Sequence, residues 1–388
     1  MNSFPLAPLP SKGEPVQYEN LARFREYLRS QGVTAALLSN PFTLTWLTGY
    51  APPIETGPCP FDGGPALAWL REGDLTLIIS DGEAAAARAT GAEVRDYTGY
   101  TVDLPLDCTE RQCAVLQDLL TAEADAGGRV GFEPEYLTAA LTATAQAALP
   151  DAIWQNVGPG AATLRAVKTA DEIAKLRAAL RLCDLGQQDV REHLRPGLTE
   201  LELWASLRAR MEIAAEGRLP VMVDLVAGQR TAEMGGPPTN YTLAEGDAVI
   251  CDLTPRLDGY WGDNCGTYFV GEPSAELKKI YATVNEVLQR LVAAVRPGLS
   301  ARALDQMARD AIRAAGYAPF PHHAGHGLGV AYHEEPRLVP YNPMVLEAGM
   351  VIAVEPGVYV PGVGGVRLEH ALLVTPSGGE VLTQHLPH

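Results

Sequence analysis

Residues 355–369 read Glu-Pro-Gly-Val-Tyr-Val-Pro-Gly-Val-Gly-Gly-Val-Arg-Leu-Glu. The Gly- and Pro-rich centre of this stretch predicts a turn between two β-strands. In an antiparallel hairpin the numbers of opposed residues have a constant sum, so a turn centred on Gly362 sets Glu355 opposite Glu369. The sequence therefore predicts two carboxylates that face each other across one hairpin.

A second pair of carboxylates stands upstream, where Asp252 follows one apolar strand and Asp263 precedes another. The turn residues between them favour a hairpin centred between Leu257 and Asp258. That centre predicts that Asp252 lies directly opposite Asp263. Between the two hairpins stands His326, with a glycine on each side.

Like charges placed directly across two strands repel each other, so these pairs need an explanation. One pair alone fits an acid–base dyad with a raised pKa, and four solvated strand ends are the plain alternative. Two pairs joined by one imidazole favour a site for two divalent cations. Oxygen ligands with a single imidazole suit Mn²⁺, Co²⁺ or Zn²⁺, and paired ions of this kind serve amide hydrolysis.

Five blocks of sequence resemble the pita-bread metallopeptidases, which include prolidase, aminopeptidase P and methionine aminopeptidase. The blocks are Asp252 with Asp263, Gly325-His326-Gly327-Leu328-Gly329, His333-Glu334-Glu335-Pro336, Glu355-Pro356-Gly357 and Gly364-Gly365-Val366-Arg367-Leu368-Glu369. Residues 164–173 resemble the opening of the catalytic domain in the proline-directed branch, and residues 40–50 resemble its N-terminal domain. The resemblance extends over nearly the whole chain and is strongest after Leu164.

This resemblance implies a role for each matching residue. The five metal ligands would be Asp252, Asp263, His326, Glu355 and Glu369. Glu355 would also relay a proton from water to the leaving nitrogen, which makes it a catalytic residue.

Three further side chains match groups near the substrate. His322 and His333 resemble imidazoles that contact the substrate carbonyl or carboxylate, so both are catalytic and substrate-binding candidates. Arg367 would either steady the ligand network or bind the substrate, and both alternatives remain open. For His323, a hydrogen bond to a neighbouring loop is the simpler interpretation.

The chain departs from the family pattern at two places. Gly235 stands where the relatives have a histidine that donates to the scissile amide, so either another donor replaces it or the substrate binds differently. Cys265 stands where a threonine is usual, on the strand face of Asp263. It is either a buried packing residue or a thiol close enough to the metals to make the site thiol-reactive.

Composition and charge indicate a soluble protein that does not bind nucleic acid or an anionic membrane. The chain has 388 residues and a formal net charge of −17, and no compact basic run offsets that charge. Its six cysteines have no metal-site spacing, which suits a reducing compartment. We see no apolar run of membrane-spanning length and no export signal, so we expect a cytoplasmic protein, a homodimer, with a small peptide as its partner.

The fold class is α/β (α+β), in two domains. The alternation of helix and strand in residues 1–160 predicts a domain with a mixed sheet, and the resemblance implies that this domain is creatinase-like and serves substrate restriction or oligomerisation. For residues 161–388 the resemblance implies the catalytic pita-bread domain. Gly158-Pro159-Gly160 predicts the break between them. The Pro- and Gly-rich segment 51–64 is either a functional lid or subunit contact, or a plain connection.

Three functions remain open at this point. The first is a dinuclear exopeptidase of the Xaa-Pro dipeptidase or aminopeptidase P type. The second is a peptidase of the same fold with altered specificity, for example a carboxypeptidase, as Gly235 suggests. The third is a catalytically silent peptide-binding homologue.

Overall fold

The computed structural model describes residues 18–54, 64–71, 74–122 and 128–386. The chain divides between Arg165 and Ala166 into two compact units. Most of the segment 51–64 lies outside the described residues. Among the described helices, none combines the length and the apolar character that a membrane span needs.

The N-terminal unit has a six-stranded mixed sheet with helices packed on it, as predicted. Its strands are β1 (Val33–Leu38), β2 (Leu67–Arg71), β3 (Asp74–Ser80), β4 (Glu93–Tyr97), β5 (Arg129–Phe132) and β6 (Ile153–Asn156), in the order β4-β3-β2-β1-β5-β6. Its helices are α1 (Tyr18–Ser30), α2 (Pro41–Thr48), α3 (Asp81–Arg88), α4 (Cys108–Ala122), α5 (Ala139–Ala148) and α6 (Gly158–Ala166). Strand β1 is antiparallel to β2 and parallel to β5, which makes the sheet mixed.

Glycine and proline mark helix starts in this unit. Asn40 caps α2 by accepting a hydrogen bond from the amide of Phe42, and Pro41 fills the first turn, where a missing N–H costs nothing. Gly158-Pro159-Gly160, predicted as the break between domains, is instead the first turn of α6. The boundary predicted after residue 160 thus falls within this helix.

The C-terminal unit combines four helices with three antiparallel sheets. Its helices are α7 (Ala170–His193), α8 (Glu200–Ala214), α9 (Ala275–Ala294) and α10 (Ala301–Ala314), and a 3₁₀ helix covers Gly228–Glu233. Its strands are β7 (Val221–Ala227), β8 (Ala248–Leu257), β9 (Tyr260–Trp261), β10 (Asn264–Phe269), β11 (Gly325–Gly327), β12 (Val351–Val354), β13 (Gly357–Val360), β14 (Gly364–Arg367), β15 (His370–Thr375) and β16 (Gly378–Val381). The sheet orders are β10-β8-β7, with β9 paired to β8, then β11-β12-β15-β16 and β13-β14.

Long helices cover these sheets and fix the strands that carry the site. Helix α7 begins with a capping box, in which Thr169 and Glu172 satisfy each other's backbone amides. The helix approaches β8 so closely at Gly186 that a Cβ there would lie 2.5 Å from Leu253 Cδ1. Only glycine permits this contact, which holds β8 against the helix.

The hairpin over residues 351–375 has the predicted register. Gly357 pairs with Arg367 in the β13–β14 ladder, and Val354 pairs with His370 in the β12–β15 ladder. Glu355 and Glu369 stand between these two ladders. Because both ladders keep the same pairing sum, the two carboxylates are held opposite each other.

The other hairpin differs from its prediction. Asp252 pairs with Cys265, not with Asp263, because the turn is the two-residue Asp258-Gly259 between Leu257 and Tyr260. Both turn residues have positive φ, 49° and 85°, as a type I′ turn requires. Asp263 lies just before β10 and reaches Thr254, whose hydroxyl donates to Asp263 Oδ1 at 3.1 Å.

Candidate metal centre

Five elements bring the predicted ligands to one place. Asp252 comes from β8, Asp263 from the entry to β10, His326 from the middle of β11, Glu355 from the end of β12 and Glu369 from the entry to β15. All five line one cavity of about 180 Å³, together with Met222, Val223, Asp224, Thr254, Tyr332 and His333. The hairpin ends and the short strand β11 therefore converge on a single pocket.

The ligand atoms lie close enough to share cations. His326 Nε2 is 3.5 Å from Asp263 Oδ2 and 3.7 Å from Glu355 Oε1. One potential ligand atom from each of Asp263, His326 and Glu369 lies within 4.8 Å of the others. Single atoms of these side chains could bind the same ion.

The donor set also fits a cation chemically. His326 Nδ1 lies 2.9 Å from the Gly327 carbonyl, which can only accept, so Nδ1 carries the proton. In the neutral ring the lone pair of Nε2 then faces two carboxylates, an arrangement that a metal ion resolves. Glu369 Oε1 is buried and has no hydrogen-bond partner among the described residues, which again favours a bound cation.

The charges in the pocket repel one another in the protein alone. Burial raises the pKa of Glu369 well above its usual value, and the neighbouring carboxylates of Asp263 and Asp252 raise it further. Burial also raises the pKa of Asp252, and Arg367 offsets only part of the effect. Burial lowers the pKa of His326, but the carboxylates of Asp263 and Glu355 outweigh burial and raise it.

Arg367 lies within the ligand network. Its Nη2 donates to Asp252 Oδ2 at 2.6 Å and to Asp224 Oδ2 at 3.1 Å, and Nη1 donates to the Met234 carbonyl at 2.7 Å. The side chain is almost fully buried. Of the two alternatives drawn from sequence, this geometry favours the one in which Arg367 steadies a ligand.

The adjacent histidines have different surroundings. His322 Nδ1 donates to the His323 carbonyl at 2.7 Å, and Nε2 accepts from the Tyr359 hydroxyl at 2.9 Å. His323 Nε2 lies 2.9 Å from Glu355 Oε1, whereas His322 Nδ1 is 3.9 Å from Glu355 Oε2. His323, for which the sequence favoured a plain loop contact, therefore holds the carboxylate that the sequence selected as the proton relay.

His333 completes a cluster of three imidazoles. Its ring centroid is 4.2 Å from that of His326 and 4.9 Å from that of His323. Although His333 reaches solvent on one side, desolvation and then the neighbouring imidazoles lower its pKa to about 3. Burial raises the pKa of Glu355, but the hydrogen bond from His323 and the nearby imidazoles outweigh it and lower the pKa.

Cys265 and Gly235, where the chain departs from the family pattern, have different surroundings in the structure. Cys265 is fully buried, its Sγ is 3.6 Å from the Arg367 carbonyl, and burial raises the pKa of its thiol well above the usual value. A buried protonated thiol is a packing residue, so the structure does not support a thiol-reactive site. At Gly235, an added Cβ would lie 2.0 Å from Asp224 Oδ2.

Sequence reasoning missed the contacts that two residues, Asp224 and His323, make with the candidate ligands and their neighbours. Asp224 carried a readable signal, because one acid interrupts the apolar run Val221–Ala227, and a half-buried acid in a strand needs a partner. No sequence signal marked the contact of His323, because this residue stands in an irregular segment where no alternation rule predicts the side-chain direction.

Comparisons with known proteins show the family of this chain. The family model described as Metallopeptidase family M24 matches residues 174–376, and the one described as Creatinase/Prolidase N-terminal domain matches residues 20–167. An uncharacterized peptidase of Staphylococcus aureus (strain USA300) is 30% identical over 366 residues, covering 94% of this chain and 99% of its own. The uncharacterized peptidase YqhT of Bacillus subtilis (strain 168) is 29% identical over 371 residues, covering 95% and 98%.

Two solved structures are similar over nearly their whole length. The Xaa-Pro dipeptidase from Bacillus anthracis has 28% identity and a TM-score of 0.80, covering 96% of this chain and 98% of its own. The prolidase from Pyrococcus horikoshii OT3 has 25% identity and a TM-score of 0.80, covering 94% and 98%. This chain therefore belongs to metallopeptidase family M24 and is a peptidase with a creatinase-type N-terminal domain and a pita-bread catalytic domain.

Proposed function

We propose that the protein is an exopeptidase of the Xaa-Pro dipeptidase or aminopeptidase P type, which uses two divalent cations, Mn²⁺, Co²⁺ or Zn²⁺. The observation that carries the proposal is the convergence of four carboxylates and His326 on one pocket. The similarity to an Xaa-Pro dipeptidase and a prolidase supports the substrate class. We also propose a cytoplasmic homodimer that acts on small peptides and binds neither nucleic acid nor membranes.

The proposed roles of the pocket residues are metal binding and proton transfer. When bound, divalent cations supply Lewis acidity, which polarises a carbonyl and acidifies water. The ligands would be Asp252, Asp263, His326, Glu355 and Glu369. Glu355, held by His323 at 2.9 Å, would accept the proton of the attacking water and pass it to the leaving nitrogen.

Two imidazoles would meet the substrate. His333 lines the cavity and is neutral at physiological pH, so it can donate a hydrogen bond to the substrate carbonyl. His322 would contact the substrate only if it gives up its hydrogen bond with Tyr359. Arg367 would keep Asp252 oriented.

A peptide panel tests the proposal. We expect metal-dependent hydrolysis of Xaa-Pro dipeptides or of peptides that begin with Xaa-Pro, measured by chromatography of the products with Mn²⁺, Co²⁺ and Zn²⁺ in turn. Asp263→Ala and Glu369→Ala should each abolish turnover while circular dichroism stays native. The matched control Glu380→Gln, which removes an Arg177-paired carboxylate outside the pocket, should keep full activity.

The second candidate is a peptidase of altered specificity, for example a carboxypeptidase, which the glycine at position 235 motivates. The same panel separates the two functions. Hydrolysis of N-blocked peptides at their last bond, with Xaa-Pro peptides untouched, would replace the first proposal with a carboxypeptidase. Retained turnover in both alanine variants would contradict the ligand assignment.

A further inference from the structure

Asp224 is an acid of the metal pocket that belongs to neither predicted carboxylate pair. It stands on β7 directly opposite Asp252 and lines the same cavity. Its side chain is 40% exposed, against 16% for Asp252 and 10% for Glu355. Asp224 is therefore the acid of this set that a substrate reaches most easily.

The carboxylate of Asp224 takes space that a side chain at position 235 would need. A Cβ on Gly235 would lie 2.0 Å from Asp224 Oδ2 and 2.5 Å from its Cγ. No larger side chain fits at this position while Asp224 keeps this conformation. One wall of the pocket thus presents the anionic acceptor Asp224 beside a glycine.

The charge of Asp224 is only partly balanced in the protein. Arg367 Nη2 serves two carboxylates, Asp224 at 3.1 Å and Asp252 at 2.6 Å. The other hydrogen bond that the structure shows comes from the Gly236 amide to Oδ1, at 2.9 Å. Because a carboxylate has about four lone-pair sites, Asp224 retains capacity for another donor.

An apolar neighbour accompanies this acceptor. Met222 lies two residues before Asp224 on β7, hence on the same face of the strand, and also lines the cavity. It is 44% exposed. This wall of the pocket therefore places the carboxylate of Asp224 beside the apolar side chain of Met222. An amino-terminal residue matches both, because its amine is charged and its side chain can be apolar.

We propose that Asp224 determines specificity by binding the free α-ammonium group of the peptide substrate. This inference rests on the proposed peptidase function. An ammonium group is favoured over a substrate carboxylate because Asp224 would repel an anion. It is favoured over a lysine or arginine side chain because Asp224 stands directly opposite the proposed ligand Asp252, and the α-ammonium group is the substrate cation nearest to an amino-terminal scissile bond.

Binding of a ligand without a scissile bond gives the first test. L-leucinol and N-acetyl-L-leucinol are titrated calorimetrically into Mn²⁺-loaded wild type, Asp224→Asn and the control Glu380→Gln. We expect wild type and control to prefer the free amine, and Asp224→Asn to reduce this preference about 10- to 100-fold, as expected for loss of a charged hydrogen bond. An unchanged preference in Asp224→Asn, with its metal content intact, would overturn the inference.

Metal analysis and a second variant separate this role from support of the metal site. Gly235→Ala places a methyl group where Asp224 Oδ2 lies and should displace the carboxylate without removing its charge. It should lower the preference for L-leucinol as Asp224→Asn does, at unchanged manganese content. Loss of metal from both variants would show that Asp224 acts through Arg367 on Asp252 and would overturn the inference.

Kinetics extend the test to peptides with free and acetylated amino termini. Asp224→Asn should raise KM for the free peptide about 10- to 100-fold, with a smaller change in kcat. An equal loss for free and acetylated peptides would count against ammonium binding. A wild type that cleaves no peptide but binds L-leucinol through Asp224 would contradict the proposed function and support this inference.

Discussion

Glu369 is a buried carboxylate whose surroundings favour a bound cation. It is 1% exposed, and its Oε1 has no hydrogen-bond partner in the described part of the chain. Burial and the neighbouring acids therefore raise its pKa well above the usual value. In the metal-free protein the folded state therefore favours the protonated form of Glu369 more than the unfolded chain does.

This proton predicts how stability depends on pH. Above the unfolded pKa the folded state binds more protons than the unfolded state, so the free energy of unfolding falls as pH rises toward the raised pKa. We expect the metal-free protein to be less stable at pH 8 than at pH 5, and Glu369→Gln to weaken this dependence. Urea unfolding in a chelator at both pH values measures it, and an equal slope in the variant would contradict the assignment.

The neighbouring histidines predict unequal effects on turnover. His323 contacts Glu355 directly, whereas both nitrogens of His322 are engaged elsewhere. We expect His323→Gln to lower kcat/KM about 10- to 100-fold, as loss of an orienting partner does, at constant metal content. His322→Gln should cost less, and the reverse order in steady-state kinetics would refute this ranking.

At the scale of elements, turn chemistry decided which predictions succeeded. The sequence predicted the register around Glu355 and Glu369, because the Gly- and Pro-rich tip leaves one centre for the turn. It missed the register around Asp252, because Pro255 continues the strand and the turn is only Asp258-Gly259. Pro255 has no N–H to donate, and its carbonyl accepts from the Gly262 amide.

The start of α7 allows a prediction about an element. The Thr169 hydroxyl accepts from the Glu172 amide, and the Glu172 carboxylate accepts from the Thr169 amide. We expect Thr169→Ala to lower the free energy of unfolding by about 1 kcal/mol. In the matched control Thr283→Ala, in the middle of α9, stability should hold or rise because alanine favours helix interiors. Denaturant unfolding compares the two, and equal losses would contradict the capping argument.

At the scale of the whole molecule, the ligands come from distant parts of the sequence. Asp252 and Glu369 meet only in the folded C-terminal unit, so cations bind the folded state preferentially. At a metal concentration 100 times Kd, this linkage adds about 2.7 kcal/mol of stability. We expect Mn²⁺ to raise the Tm of the wild type but not of Asp263→Ala. A similar rise in the variant would place the stabilising ion elsewhere.

The sequence predicted the two-domain architecture, because both parts of the chain carry blocks that resemble one family. It took the first turn of α6 for a break between domains, because Gly158, Pro159 and Gly160 are residues typical of loops. The sequence also could not predict which side chains of the pocket contact one another. Which imidazole meets Glu355 depends on an irregular loop, whose course depends on packing rather than on local sequence.

Glu355 and Glu369 lie between two ladders that share one register. The β13–β14 ladder leads to the turn at the tip of the hairpin, and the β12–β15 ladder forms its base. An added Cβ at Gly362 would meet nothing within 4 Å, and the neighbouring Pro361 is exposed. Because the β12–β15 ladder fixes the carboxylates from the opposite side, extra residues at the tip leave their spacing unchanged. The tip is thus a suitable place to graft a fluorescent label or an affinity epitope that reports on the pocket without rebuilding it.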